Sequence, residues 1–135
     1  KDIILCLKFM KNKNKECLEK MYRELNNIKW ELHELLKKIV IKTNLGEIYD
    51  DYTDTTELNI GDIIINSCGY YHQLDINKGG EEINLDRDLE TTKIIYQEVK
   101  KRYEQLQKTN ELKKSKIKAK EIFDKTFNLK ISGVK

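Results

Sequence analysis

One stretch in the middle of the chain decides the fold, and it reads DIIINSCGYYHQLD over residues 62–75. Its β-branched run, Ile63-Ile64-Ile65, has the length and composition of a strand, and its unbroken apolar character predicts a strand covered on both faces. The small residues Ser67-Cys68-Gly69 predict a turn, and the segment from Tyr70 to Asp75 predicts a second strand. The stretch therefore predicts a β-hairpin.

Two further signals extend the β region to residues 39–84. The run Lys38–Thr43 is rich in β-branched residues and predicts another strand, and Asn77-Lys78-Gly79-Gly80 predicts a tight turn. Isolated hairpins are marginally stable in water and leave strand edges unpaired. We therefore expect these hairpins to pair with hairpins of other subunits.

The residues before the β region have the period of a coiled coil. Apolar side chains recur at spacings of 3 and 4, the a/d pattern of a helix that buries one narrow stripe against a single partner helix. They are Leu18, Met21, Leu25, Ile28, Leu32, Leu35 and Ile39. Traced backwards, the register meets the polar residues Asn14 and Lys11 and then Leu7 and Ile4. The stripe thus resumes beyond a polar break.

The residues after the β region repeat this pattern at Leu85, Leu89, Thr92, Tyr96, Val99, Tyr103 and Leu106. The chain has no proline, so nothing forces a break in either helical segment. The simplest arrangement is a single α+β domain over residues 1–135. In it, helices 1–38 and 85–131 form a long antiparallel coiled-coil hairpin, and the β-hairpins of residues 39–84 lie at one end.

The charges divide the chain at the same places. Residues 1–42 carry 11 basic and 6 acidic side chains, residues 43–90 carry 2 and 12, and residues 91–135 carry 13 and 5. The lysines between Lys113 and Lys120 suit phosphate contacts, but three arginines in all and no interleaved aromatics do not favour nucleic-acid binding. No apolar run approaches the ~20 residues of a membrane span.

Residues of catalytic or metal-binding type do not form a recognisable pattern. His33 and His72 lack a Ser or Cys at a spacing that indicates a triad, and His33 is predicted on the surface of the first helix. Cys6, Cys17 and Cys68 lack the spacing of a zinc site or a disulfide framework, and reduced thiols fit a cytoplasmic or nuclear protein. The sequence predicts neither an enzyme nor a cofactor.

The layout resembles that of the prefoldin alpha-class subunits, in which two long helices flank paired β-hairpins. The matching residues are Leu45-Gly46, Ile48-Tyr49, Thr55-Thr56, Ile63-Ile64-Ile65 and Gly69-Tyr70-Tyr71, with an acidic helix start at Asp86–Glu90. The segment Lys116–Ala119 is similar to one in the UXT type of prefoldin-like subunit. Residues 77–84 depart from the family pattern and look like an insertion that lengthens the last hairpin or delays the helix.

The resemblance implies an ATP-independent chaperone or co-chaperone subunit without a metal or other cofactor. Its hairpins would join other prefoldin-type subunits in a hetero-oligomer, through Ile41, Leu45, Ile63, Ile64, Ile65, Tyr70 and Tyr71. Its helical arms would hold non-native client proteins, for transfer to a chaperonin, through Ile4, Leu7, Phe9, Met10, Phe123, Phe127 and Leu129. These same apolar tips could instead only close the coiled coil. The alternative function is a structural coiled-coil adaptor in a multiprotein assembly.

Overall fold

A computed structural model describes the backbone of residues 2–86, 88–108 and 115–132, and the side chains of residues 15–86, 88–108 and 119–131. The chain begins with helix α1 (Asp2–Thr43) and continues through five strands. These are β1 (Gly46–Tyr49), β2 (Thr55–Ile60), β3 (Ile63–Cys68), β4 (Gln73–Lys78) and β5 (Glu81–Asn84). Three helices follow: α2 (Leu89–Gln107), α3 (Ser115–Ile122) and α4 (Lys125–Ser132).

The first helix is longer than the sequence predicted. The expected strand at Lys38–Thr43 is wrong, because the helix runs on to Thr43. Burial of Ile39 and Val40 in the core outweighs the β-propensity of this run. The helix ends where Asn44 takes a positive φ of 58° and its amide donates to the carbonyl of Val40 at 2.7 Å. Thr43 Oγ1 accepts a hydrogen bond from the amide of Leu45 at 3.2 Å, which satisfies one donor in the exit loop.

The five strands form one antiparallel sheet in the order β1-β2-β3-β4-β5, a simple meander. The strand predicted from Ile63 onwards is confirmed, although it continues through Cys68, two residues into the expected turn. The turn itself lies at residues 69–72, where His72 has a φ of 52°, so that Tyr70 and Tyr71 are in the turn rather than in a strand. The predicted turn at Gly79-Gly80 is confirmed, and both glycines have positive φ, 56° and 90°.

Within the described residues, one face of the sheet packs against helices and the other does not. Along β3, Ile63, Ile65 and Ser67 are buried while Ile64 is half-buried on the opposite face, so the expectation of a strand covered on both sides is wrong. The same alternation buries Leu58 and Ile60 of β2 and Leu74 and Ile76 of β4. These side chains form one core with the second half of α1, with α2 and with the last two helices. The result is a two-layer arrangement of sheet and helices.

The predicted antiparallel helical hairpin is wrong, because α2 runs parallel to α1. The start of α2 lies beside the middle of α1, where Lys93 Nζ is 2.9 Å from Glu24 Oε1. Further along, one groove between the two helices is lined by Leu35 and Lys38 of α1 and by Tyr103 and Gln107 of α2. An odd number of antiparallel strands explains the direction. After five strands the chain returns to the side from which α1 set out, and the next helix repeats the direction of α1.

The predicted single helix over residues 85–131 is also wrong. Helix α2 begins only at Leu89, capped by Asp88, whose side chain accepts from the amide of Thr91 at 3.0 Å. It ends at Gln107, and α3 and α4 are two separate short helices. Asp124 lies between them and accepts from the amide of Thr126 at 2.9 Å, so a new helix starts there. These two helices fold back on α2 and bury Phe123, Phe127 and Ile131 in the core.

Candidate functional site

Two parts of the molecule have features beyond ordinary core packing. One is a polar cluster between α1 and the sheet, formed by His33, Lys37, Asp54 and Ser67. The other is the arm, which we define as residues 2–24 of α1. At 1.5 Å per residue the arm is about 34 Å long.

The polar cluster joins three elements of the fold around a buried imidazole. His33 is 1% exposed; its Nδ1 lies 2.8 Å from Ser67 Oγ on β3, and its Nε2 lies 3.1 Å from Asp54 Oδ2 in the β1–β2 connection. Lys37, one helical turn after His33, pairs with the same carboxylate at 2.6 Å. The hydrogen bond from Lys37 holds the pKa of Asp54 below its ordinary value, against the opposing effect of partial burial and with help from His33. The cluster thereby fixes α1 to the sheet.

A glycine makes room for this cluster. A Cβ at Gly69 would lie 2.7 Å from Asp54 Oδ2 and 2.9 Å from His33 Nε2, both closer than real Cβ contacts. The backbone of Gly69 also takes part, because its amide donates to the carbonyl of Asp54 at 2.9 Å. Gly69 is therefore required for its small size.

Serine, histidine and aspartate in contact are the components of a hydrolytic triad, but the geometry here favours a structural role. In such triads the carboxylate binds Nδ1 and the serine binds Nε2, whereas His33 has these partners exchanged. Ser67 is 3% exposed, and the small cavity beside it has no room for a water molecule. A substrate carbonyl has no approach to Ser67 Oγ in this arrangement. The prediction that His33 lies on the helix surface is wrong.

A buried lysine, Lys29, also connects α1 to this end of the sheet. Its Nζ donates to the carbonyls of His72 at 2.7 Å and of Asp86 at 3.1 Å. Burial lowers the pKa of Lys29, and the nearby Asp86 carboxylate opposes this change. Asp86 also accepts from the amide of Leu74 at 2.8 Å. Lys29 thus fixes the turn before β4 and the segment that leads into α2.

The arm presents apolar side chains that the described part of the chain does not cover. All residues from Lys15 to Glu24 are exposed, and burial begins abruptly at Leu25. Leu18 is 52% exposed and Met21 is 45% exposed, although both occupy the register that becomes buried at Leu25 and Leu32. The seam of α1 is therefore filled within the domain and open over the described part of the arm, residues 15–24.

A cleft marks the junction between the arm and the rest of the domain. It has a volume of about 760 Å³ and is lined by Met21, Asn84, Asp86, Asp88, Leu89 and Glu90. Three of these residues are acidic, and Met21 and Leu89 supply apolar surface from α1 and α2. The cleft lies where the exposed seam residues meet the buried part of the seam, which begins at Leu25.

The open face of the sheet is acidic. The register places Glu47, Glu57 and Asp75 in one row across the strands, together with Asn66 and Asn84. Burial raises the pKa of Asp75, and the carboxylates of Glu82 and Asp86 raise it further. At one edge of the face, the hydrogen bond with Glu47 contributes most to raising the pKa of Tyr49 to about 12. Three of the twelve acidic residues in the middle third of the sequence lie in this row.

The residues predicted to form a subunit interface do not form one surface. Leu45, Ile63 and Ile65 are buried within the chain, at 8%, 0% and 0% exposure. Ile64 is half-buried on the open face of the sheet, and Ile41 is 75% exposed on α1. Tyr70 and Tyr71 pack edge to face in the turn before β4, with ring centroids 4.9 Å apart.

The residues predicted to bind clients are also separated. Phe123 and Phe127 lie in the core with their rings edge to face, 5.0 Å apart, whereas Leu129 is 71% exposed. The side chains of Ile4, Leu7, Phe9 and Met10 lie outside the described residues. Because α3 and α4 fold back on α2, the two ends of the chain do not form the paired tips expected of an antiparallel coiled coil.

Sequence reasoning missed the polar cluster and the lysine at position 29. The contacts of His33 with Ser67 and Asp54 span 34 and 21 residues, and no local spacing indicates them. One available signal was the placement of His33 and Lys37 one turn apart on a helix, which lets both reach a single carboxylate.

No family model, curated protein or solved structure matches this chain. The resemblance to prefoldin subunits thus still depends on the short motifs that suggested it. Within the residues that the structure describes, no group of three or more histidine, cysteine or acidic side chains could hold a metal ion. In the same residues, no helix has the length and apolar character needed to cross a membrane.

Proposed function

We propose that this protein is an assembly adaptor that binds a partner helix along its arm. The proposal is carried by the open seam of α1, where Leu18 and Met21 remain about half exposed in the register that buries Leu25 and Leu32. A helix that continues a coiled-coil register beyond its own domain offers a ready surface for another helix. This is the adaptor function that the sequence left as an alternative.

Energetics support a binding role for the arm. Full burial of a leucine or methionine side chain stabilises by about 1.5–3 kcal/mol, so completing the burial of each seam residue contributes roughly 1 kcal/mol. Packing against the domain stabilises the arm little, because the described residues from Lys15 to Glu24 are all exposed. A partner helix would supply the missing cover. The rigid attachment of α1 to the sheet through Lys29 and His33 gives the arm a fixed direction.

A second candidate is ATP-independent holding of non-native proteins, the role implied by the resemblance to prefoldin. Exposed Leu18 and Met21 favour it, because flexible apolar side chains suit contacts with varied sequences. The arrangement of two antiparallel arms with joined tips, however, is not part of this fold. Holding activity would have to come from the arm of α1 alone or from an assembly of several chains.

The test replaces both seam residues with serine, L18S and M21S. Both positions are exposed, so circular dichroism should show little change in helical content. The double variant should lose the partners that the wild-type chain captures from its source cells, as measured by quantitative mass spectrometry. The matched control, E19S with K20S, changes the neighbouring solvent-facing residues and should retain those partners.

Equal capture by the two double variants would refute a binding role for the seam. The two candidate functions differ in their clients. An adaptor captures a small, reproducible set of folded partners and does not delay aggregation of a chemically denatured protein, whereas a holding chaperone delays it at stoichiometric ratio.

A further inference from the structure

The seam of the arm has a pattern that pairs with itself when reversed. From Ile4 to Met21 the a/d positions read apolar, apolar, polar, polar, apolar, apolar, namely Ile4, Leu7, Lys11, Asn14, Leu18 and Met21. The backbone is helical throughout this range. Read backwards, the order of apolar and polar positions is the same, which is the condition for a symmetric antiparallel pair.

We propose that the partner of the arm is a second copy of the same chain, bound antiparallel about a two-fold axis between Lys11 and Asn14. This inference depends on the proposed binding role of the arm and names its occupant. In an antiparallel coiled coil, an a position faces a d position of the other helix. The register then places Ile4 against Met21, Leu7 against Leu18, and Lys11 against Asn14 of the second copy. Each layer therefore pairs an apolar residue with an apolar one, or a polar residue with a polar one.

Toward the domain, this pairing stops where the exposed part of the seam stops. The last layer toward the domain contains Met21, and the next seam residue, Leu25, is already 2% exposed because its own chain covers it. A second copy bound in this register would end at the junction cleft, whose wall includes Met21 and Leu89. In this register the two domains lie at opposite ends of the paired arms.

The polar layers select the antiparallel direction. A parallel pair would place Lys11 directly against Lys11, and Asn14 against Asn14, in the middle of the seam. The antiparallel pair instead places an ammonium donor opposite an amide oxygen, which can accept a hydrogen bond from it. A single polar a position is known to specify register and orientation in coiled coils at a cost in stability.

The flanking positions oppose the pairing weakly and give it a characteristic salt dependence. In the antiparallel pair, Lys8 of each copy faces Lys15 of the other, both at e positions. Two pairs of like charges therefore meet at the solvent-exposed rim. Charges at exposed positions are screened by salt. Added salt should therefore tighten the dimer, whereas binding of the basic arm to an acidic surface would weaken with salt.

The experiment is analytical ultracentrifugation of the full chain at about 100 µM, where a micromolar Kd gives mostly dimer. The wild-type protein should sediment at twice the mass of the 16.1 kDa chain. The variant L18K places a second lysine in each half of the seam and should raise the dimer Kd at least about 30-fold. The control E19K adds more positive charge at the adjacent, outward-facing position and should change the Kd less than about threefold.

Orientation is tested by a single cysteine pair across the seam. Met10 and Cys17 occupy g positions that face each other only in the antiparallel pair. In a background with C6S and C68S, the M10C variant should form a covalent dimer on mild oxidation, while the same background with Met10 retained should not.

A wild-type chain that stays monomeric, a dimer that L18K leaves intact, or a dimer that weakens with salt would overturn the proposal. Loss of captured partners in the L18S and M21S variant, combined with a monomeric wild type, would overturn only the identity of the occupant and leave the adaptor function standing.

Discussion

The substitution Gly69→Ala tests whether the polar cluster is the main fixed point between α1 and the sheet. The new Cβ would lie 2.7 Å from Asp54 Oδ2 and 2.9 Å from His33 Nε2. To restore ordinary van der Waals distances, these atoms must retreat by about half an ångström or more. The imidazole cannot retreat easily, because Ser67 holds its Nδ1 and the ring of Trp30 stacks on it with centroids 5.7 Å apart.

The expected cost follows from the hydrogen bond that has to yield. The His33–Asp54 contact is already 3.1 Å long, so a shift of this size lengthens it beyond a useful hydrogen bond. Losing a hydrogen bond that leaves a buried polar group without its partner costs about 1–3 kcal/mol. Gly69 has no positive φ, so backbone strain adds nothing to this value. We expect G69A to lower the free energy of unfolding by about 2 kcal/mol.

Urea denaturation followed by circular dichroism measures this change, and a second background isolates its cause. Asp54 has a φ of 50°, so D54G removes the nearer clashing carboxylate at a position where glycine is well suited. In that background G69A should cost less than about 1 kcal/mol, because the imidazole can move into the vacated space. An equal cost in both backgrounds, or a cost below about 0.5 kcal/mol in the wild type, would refute the role of the cluster.

Two further predictions concern the charged contacts of the core. The pKa of Asp54 is depressed in the folded state, so the ionised carboxylate stabilises the fold above the ordinary carboxyl pKa, and this stabilisation is lost as the pH falls through the folded pKa. The difference in free energy of unfolding between wild type and D54N, measured in urea titrations, should therefore shrink toward zero below about pH 4. A difference that does not depend on pH would contradict this. Arg102 is 6% exposed, donates from Nε to the Ile122 carbonyl at 3.2 Å, pairs with Glu98 and lies 4.7 Å over the ring of Phe127. The variant R102M should lower the free energy of unfolding by about 3 kcal/mol, and R102K should lower it by less. Equal stability of R102M and wild type would show that these contacts contribute nothing.

Most elements of this fold could be predicted from local patterns. The long first helix follows from the spacing of Leu18 to Ile39, the central strand from Ile63-Ile64-Ile65, and the Gly79-Gly80 turn from its composition. These features depend on residues within a few positions of one another. The end of α1 was misjudged for the opposite reason. Ile39 and Val40 prefer strands locally, and only their contacts with the distant sheet make them helical.

The overall arrangement was decided by one weak strand. Residues 77–84 were interpreted as an insertion in a hairpin, and they form the end of β4, a glycine turn and β5. Strand β5 has only four residues, two of them glutamates, and its burial is slight. Yet it changes the number of strands from even to odd and so reverses the direction of α2 relative to α1. The same helices with one strand fewer would give the antiparallel arrangement that the sequence suggested.

The candidate sites differ in how much of them the sequence contains. The open seam of the arm is a local repeat, so its residues can be recognised without a structure; the structure adds the position where cover begins, at Leu25. The polar cluster has no local signal, because His33, Asp54 and Ser67 meet only when α1 crosses the sheet. A buried histidine with two polar partners would be costly if either partner were missing. Its presence therefore specifies one placement of α1 on the sheet, and with it the direction in which the arm leaves the domain.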